Sequence, residues 1–400
     1  MIREENGVVD MPILSNRVSN IVGEGSDGWD ILYRARNLED QGIEIINLTI
    51  GEHDIGTNEL ILDEMHRAAK SGKTGYAPVP GSHELRDCIA DRVTQRTGVP
   101  TTRDQVLVTA GGQAALFASH SAALDPGDAA AYITPGYATY EGTIRALACK
   151  TIQLAARSRN NFQPTPEDLG PAKPAKSLLI CTPCNPTGTV YARDTVEAIC
   201  DFAKQNDKWV ISDEVYDTQL WEGDHVSPRM INDMVDRTMI IGSLSKSHAM
   251  TGSRVGWLIA PQNVVEKLID QSTVTTYGLP GYIQAAALFA LGLGDAFEAK
   301  VADPFRRRRD IAERMFSNDP NLRMIPSNGA MYTMLDIRNT GLSGDDFAAK
   351  LLDEHRIAVM PGESFGAAAA GHLRIALTTE DAKMVAAFET IKSVAEELTS

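Results

Sequence analysis

The run "TMIIGSLSKSHAMTGSRVGW", Thr238 to Trp257, decides how this chain folds and what it does. An apolar, strand-like stretch ends in small hydroxylated residues. Lys246 follows, then Arg254 eight residues later, then Gly256-Trp257. A lysine is by default a solvated surface charge. The neighbours of Lys246 are small, hydroxylated or apolar, which places it in a tight turn at the edge of a sheet. Lysine can form a Schiff base with a carbonyl cofactor, and Ser243 with Arg254 can bind that cofactor's phosphate. On this stretch alone, both readings stand open.

The segments on either side repeat the pattern. "VLVTA" (Val106 to Ala110) precedes a helix-like "GQAALFASHSAAL". "AAAYITP" (Ala129 to Pro135), "SLLICTP" (Ser177 to Pro183) and "WVISDEVY" (Trp209 to Tyr216) are each bounded by turn or helix signals. Buried strands alternating with helices predict an α/β fold, with a mostly parallel, seven-stranded-type sheet between helices. Toward the C-terminus, the amphipathic runs "DPFRRRRDIAERMF" and "GDDFAAKLLDEHRI" surround the short strands "AMYTMLDI" and "HLRIAL". That pattern predicts a smaller α+β domain built from both chain termini. The expected division is 1–50 for the N-terminal part of the small domain, 51–290 for the large domain and 291–400 for the C-terminal small domain. The proline-rich "PTPEDLGPAKPAK" (Pro164 to Lys176) reads as a surface loop.

Composition narrows the function classes. The formal charge of −15 over 400 residues argues against a partner that is nucleic acid or an anionic membrane. No apolar run is long enough to span a bilayer, and "MIREENGVVDMPIL" lacks a secretory pattern. Five cysteines, an odd number, suit a reducing compartment, so a cytoplasmic protein is expected. Cys181 and Cys184 have redox or zinc spacing, but they end a buried strand and have no further ligands nearby. They are expected to pack around the loop that presents Asn185. His53, His225 and His248 are not at metal spacing, so no metal site is expected. "RRRR" (Arg306 to Arg309) reads as a solvated helix face.

Polar residues collect where the strands end, the edge at which open α/β sheets bind ligands. Asp213 can pair with a protonated pyridine nitrogen, as pyridoxal phosphate chemistry requires. Tyr216 and Asn185 can donate to the cofactor's phenolic oxygen. Gly111-Gly112-Gln113 opens a helix, so its N–H groups and the helix dipole can hold a phosphate. Singly, each has an ordinary structural explanation: a capping Asp, a core Tyr, a turn Gly.

Together, "NPTG" (Asn185 to Gly188), "SDEVY" (Ser212 to Tyr216), "SLSKSHAMTGSRVGW" and "GHLRIAL" resemble the class I/II aminotransferases of the pyridoxal-phosphate fold type I superfamily, over nearly the whole chain. The resemblance implies the following roles. Lys246 is the Schiff-base lysine and the base that moves the proton between Cα and the cofactor. Asp213 holds the pyridine nitrogen, Asn185 and Tyr216 contact the phenolic oxygen, and Tyr137 stacks on the ring. Gly112, Gln113, Ser243 and Arg254 hold the phosphate. Tyr76 reaches the phosphate bound by the partner subunit of a homodimer. Arg374 clamps the substrate α-carboxylate, helped by Asn185 and the backbone of Gly51. The partners implied are an amino acid and a 2-oxo acid.

Two departures stand out. "GEHDI" (Gly51 to Ile55) carries His53 where the family often has proline, and Gln113 replaces the lysine with which one aspartate aminotransferase subgroup binds a side-chain carboxylate. "GEGSDGWDILYRARNLEDQG" (Gly23 to Gly42), with "GDHVSP" and "LDIRNTGLSG", is most similar to bacterial arginine:pyruvate transaminases within the family. A guanidinium would call for a carboxylate near the pocket entrance, for which Asp27, Asp30 and Glu52 are available. An aspartate or aromatic aminotransferase, or a pyridoxal-phosphate lyase on the same fold, is the alternative. A DNA-binding regulator would need a basic helix-turn-helix segment ahead of this domain, and an inactive homologue would be expected to have lost Lys246, Asp213 or Arg374.

Overall fold

The computed structural model describes residues 12–22 and 29–400. Asp27 and the first eleven residues, whose pattern was read above, lie outside them. The strands, in chain order, are β1 (Ile46–Leu48), β2 (Val106–Thr109), β3 (Ala129–Thr134), β4 (Lys150–Ala155), β5 (Ser177–Cys181), β6 (Trp209–Asp213), β7 (Thr238–Ser243), β8 (Gly256–Ile259), β9 (Arg323–Ile325), β10 (Tyr332–Asp336), β11 (Ile357–Pro361) and β12 (His372–Ala376). Two sheets result: seven strands in the order β2-β8-β7-β6-β5-β3-β4, and five in the order β1-β11-β12-β10-β9.

In the larger sheet, β4, β3, β5, β6 and β7 run parallel, while β8 is antiparallel to both β7 and β2. The expected largely parallel α/β sheet is therefore present. Its inner strands are apolar runs, buried along their length in β5 and β7, as a sheet covered on both faces requires. The parallel strands deliver their C-terminal ends to one edge. There β3 leads to Tyr137, β5 to Asn185, β6 ends on Asp213 and β7 leads to Lys246. The polar residues therefore occupy the strand ends and the turns that follow.

The smaller sheet pairs β1 in parallel with β11, while β11, β12, β10 and β9 are mutually antiparallel. Its core contains Leu335, Ile337, Leu351, Ile375 and Phe388, together with Tyr216 from the large-sheet side.

Two expectations need correction. The proline-rich stretch is not a plain loop. Pro166–Ala172 forms a 3-10 helix whose Leu169 and Ala172 are buried, and Asp168 Oδ2 accepts from both the N–H and the hydroxyl of Thr165 at 2.9 Å. "RRRR" is a solvated face only in its first half, where Arg306 and Arg307 are exposed. Arg308 and Arg309 are 4% and 6% exposed within the helix Gly294–Phe316. Arg308 reaches Asp54 at 2.5 and 3.1 Å, Asp381 at 3.1 Å and the Leu377 carbonyl at 3.1 Å. Arg309 reaches Glu222, Glu313 and the Ser327 carbonyl. Matching carboxylates and carbonyls offset the cost of burying these guanidinium groups. The pairing ties this helix to the loop that carries Gly51. Among the described residues, no helix is long and apolar enough to cross a membrane.

Candidate active site

A cavity of about 260 Å³ opens at the strand ends, between the two sheets. It is lined by Gly51, Gly112, Gln113, Tyr137, Asn185, Asp213, Tyr216, Ser243, Lys246, Arg254 and Arg374. Of the residues given a cofactor or α-carboxylate role above, Gly111, directly before the helix start, and Tyr76 are absent from this lining. The Tyr76 side chain is 93% exposed and packs edge-on against Tyr277, with centroids 5.1 Å apart.

Lys246 sits on a four-residue helix, Leu244–Ser247, capped by Ser243. Its Nζ donates to the Gly51 carbonyl, and its own carbonyl accepts from the Gln219 amide at 3.4 Å. Burial pushes its ammonium down to about 8; Glu52 opposes that shift, and Arg374 and Arg254 add to it. A lysine there loses its proton far more readily than one in water. Asp213 ends β6 beside Cys181, its register partner on β5. Burial pushes its carboxyl up to about 6, against the donors Tyr140 and Val215 N–H.

The helix Gly112–Ala123 starts from Gly111, at φ +79°. A Cβ on Gly111 would lie 2.4 Å from the Arg254 guanidinium, so glycine lets the arginine stand directly over the helix start. Helix N–H groups, a guanidinium and a serine turn together form an anion cradle. The Ser243 hydroxyl lies 3.0 Å from both Ser245 Oγ and the Val255 carbonyl. The Gln113 side chain is tied to Thr139 and Thr143 at 2.9 and 2.8 Å. What Gln113 offers a phosphate is therefore its backbone N–H.

On the small-sheet side, Arg374 of β12 is 1% exposed. It donates to Asn185 Oδ1 at 3.0 Å and to the Thr49 carbonyl, and its Nε is buried without a partner. The rings of Tyr332 and Phe365 lie 4.6 Å from its guanidinium carbon. Tyr332 also meets the Tyr216 hydroxyl at 2.9 Å and accepts from Asn185 Nδ2 at 3.4 Å. His53 is buried edge-on against Phe305, 5.1 Å away, and burial pushes it down to about 4, so it is neutral.

Sequence reasoning missed Tyr140, Tyr332, Trp29 and Ser245 as lining residues. The signal for Tyr140 was its spacing, three residues after Tyr137 at the start of a helix. Tyr332 lay in an apolar strand and read as core. Of the three acidic candidates, Glu52 lines the cavity and accepts from the Thr251 hydroxyl at 3.0 Å. Asp30 lines an adjoining hollow of about 1200 Å³ with Asp345 and Glu363, and Asp27 is outside the described residues. Cys181 and Cys184 are buried thiols beside the Asn185 turn.

The donor set fits pyridoxal 5′-phosphate: an anion cradle, a buried carboxyl opposite a buried amine, and an arginine with an unspent N–H. The family model for aminotransferase class I and II matches residues 43–391. The arginine–pyruvate transaminase of Pseudomonas aeruginosa is 39% identical over 365 residues, covering 91% of this chain and 93% of that protein. The aspartate/prephenate aminotransferase of Thermus thermophilus is 32% identical over 367 residues, covering 90% and 94%. The solved aspartate aminotransferase of Thermus thermophilus with maleate superimposes with a TM-score of 0.89 at 32% identity, over 96% of this chain and 100% of that one.

Proposed function

The chain belongs to the class I and II aminotransferases, and from that premise we propose that it moves the amino group of L-arginine to a 2-oxo acid such as pyruvate by a ping-pong route. The observation that carries this reading is the convergence of Lys246, Asp213 and Arg374 on one cavity.

Pyridoxal 5′-phosphate would be held at its phosphate by the backbone of Gly112 and Gln113 with Ser243 and Arg254, and at its ring by Tyr137 and Asp213. When bound, it supplies a carbonyl that condenses with amines and a ring that takes up the electron pair of a broken Cα–H bond. The chain's own residues do the rest. Arg374 takes the substrate α-carboxylate through its fork, with Asn185 and Gly51 fixing the approach. That would fix the Cα–H bond relative to Lys246 Nζ, the amine that would take up the proton and hand it back. An amine at about 8 suits both steps near neutral pH. The Asp213 carboxylate balances positive charge at the ring nitrogen, and Tyr216 and Asn185 donate to the phenolic oxygen.

The donor assignment rests on the Pseudomonas relative, on the neutral Gln113 and on the carboxylates Glu52 and Asp30 near the entrance. The two sheets support a large domain at 51–290 and a small one from 1–50 and 291–400. A homodimer in which Tyr76 serves the partner's phosphate accords with the exposure of Tyr76, Tyr277 and Val274 (93%, 51% and 82%). Five free thiols accord with the cytoplasm.

Initial velocities with arginine and pyruvate test the reading. Alanine should form, with parallel double-reciprocal lines. Alanine from other donors but not from arginine would overturn the donor, and ammonia released without an acceptor would favour a lyase.

A further inference from the structure

Tyr140 is fully buried, and its hydroxyl donates to Asp213 Oδ2 at 2.7 Å. We propose that Tyr140 is a positioning residue that holds Asp213 as a carboxylate at neutral pH, and so keeps it fit to bind a protonated ring nitrogen. The inference rests on the reading of Asp213 as the partner of that nitrogen.

The case begins with how few donors Asp213 has. The residue is 8% exposed. Besides Tyr140, the donor it meets is the Val215 N–H, at 3.4 Å from Oδ1. Burial works to keep the acid protonated, and Tyr140 is the largest opposing influence. The surrounding charges do little to help. Glu214, directly after the strand, favours the protonated form, and Lys246 favours the ionised one. Cys181 at the end of β5, Tyr137 and Tyr332 also face it and are pushed up, Cys181 by its hydrogen bond with Cys184 and by burial and the two tyrosines by burial, so they are neutral near pH 7, while that same hydrogen bond pushes Cys184 down. The phenol of Tyr140 is itself pushed well above its ordinary value, so it remains a donor.

The ring of Tyr140 is located by aromatic contacts that do not involve its hydroxyl. It lies edge-on to Tyr137 at 5.8 Å and to Tyr132 at 6.3 Å. Phenylalanine keeps those contacts and removes the hydroxyl, with its bond to Asp213 and its contact with the Cys181 thiol. With a midpoint of about 6, Asp213 is about nine-tenths ionised at pH 7. A hydrogen bond to a charged group is equivalent to about one to two pH units. Without it, the ionised fraction at pH 7 falls to about half or less.

The test measures the dissociation constant of pyridoxal phosphate as a function of pH for the full chain. In the parent protein, binding should weaken as pH falls through about 6. In Tyr140→Phe the onset should move up by about one to two pH units, with a loss of about twofold to tenfold at pH 7 and little change at pH 9. Tyr140→Gln, which restores an N–H donor, should move the onset back, and Tyr140→Leu should not. That pair carries the comparison if Phe is not tolerated. An onset unmoved in Tyr140→Phe, or an equal weakening at every pH, overturns the proposal. Asp213→Asn separates the two readings: binding as tight as in the parent would refute the role of Asp213 itself, whatever Tyr140 does.

Discussion

Replacing Arg374 by lysine should keep a cation and abolish a fork. Arg374 is 1% exposed, between two rings 4.6 Å from its guanidinium carbon. One terminal nitrogen holds Asn185 at 3.0 Å, the other holds the Thr49 carbonyl, and Nε has no partner. An ammonium cannot fill that plane or span those acceptors and a carboxylate together. Hydrogen bonds to charged groups contribute about 1.5–3 kcal/mol each. Losing one to the substrate and loosening Asn185 should cost about 2–4 kcal/mol, which is roughly 30- to 1000-fold in kcat/KM. Because every substrate carries the α-carboxylate, donors and acceptors should lose by the same factor. Stopped-flow half-reactions with arginine, alanine, pyruvate and 2-oxoglutarate read this directly, with cofactor occupancy checked by absorbance. A loss under threefold, or one confined to a single donor, would refute the assignment of Arg374 to the shared carboxylate.

Three further outcomes follow from the same geometry. Lys246→Ala removes the base, so turnover should fall by roughly 10²–10⁴ or more, and a rate within tenfold of the parent would exclude Lys246 from the proton transfer. Gly256→Ala would place a Cβ 2.6–2.7 Å from the Gly111–Gly112 peptide; the displaced turn should weaken cofactor affinity at least about tenfold, and unchanged affinity by equilibrium titration would show that this turn does not hold the phosphate. His53, His120 and His248 are held neutral by burial, each pushed down to about 4. Unfolded, they titrate near 6.5, so their contribution is complete above that pH and is lost as pH falls from about 6.5 to 4, by up to about 3 kcal/mol per residue. His120→Leu should flatten the denaturation midpoint over this window, and an unchanged slope would contradict it.

What the sequence revealed follows from where the chemistry lies. Asp213, Asn185 and Lys246 directly follow apolar strands, so the strand pattern located them and their shared sheet edge together. The donors around them were harder to see. Tyr140 and Tyr332 have the composition of core residues, and their hydroxyls find partners only in residues distant in sequence, Asp213 for Tyr140 and Tyr216 with Asn185 for Tyr332. Arg308 read as a surface charge because its partners, Asp54 and Asp381, are 254 and 73 residues away. Gln113 was placed at the phosphate correctly as backbone, but its side chain turns to Thr139 and Thr143, contacts that no spacing rule encodes.

The most direct test is a single half-reaction. Holoenzyme mixed with one amino acid and no acceptor should lose its visible cofactor band. It should release one 2-oxo acid per subunit and stop, and added pyruvate should restore the band. Continued turnover with ammonia release, or a band unmoved by every amino acid offered, would contradict an aminotransferase built on Lys246.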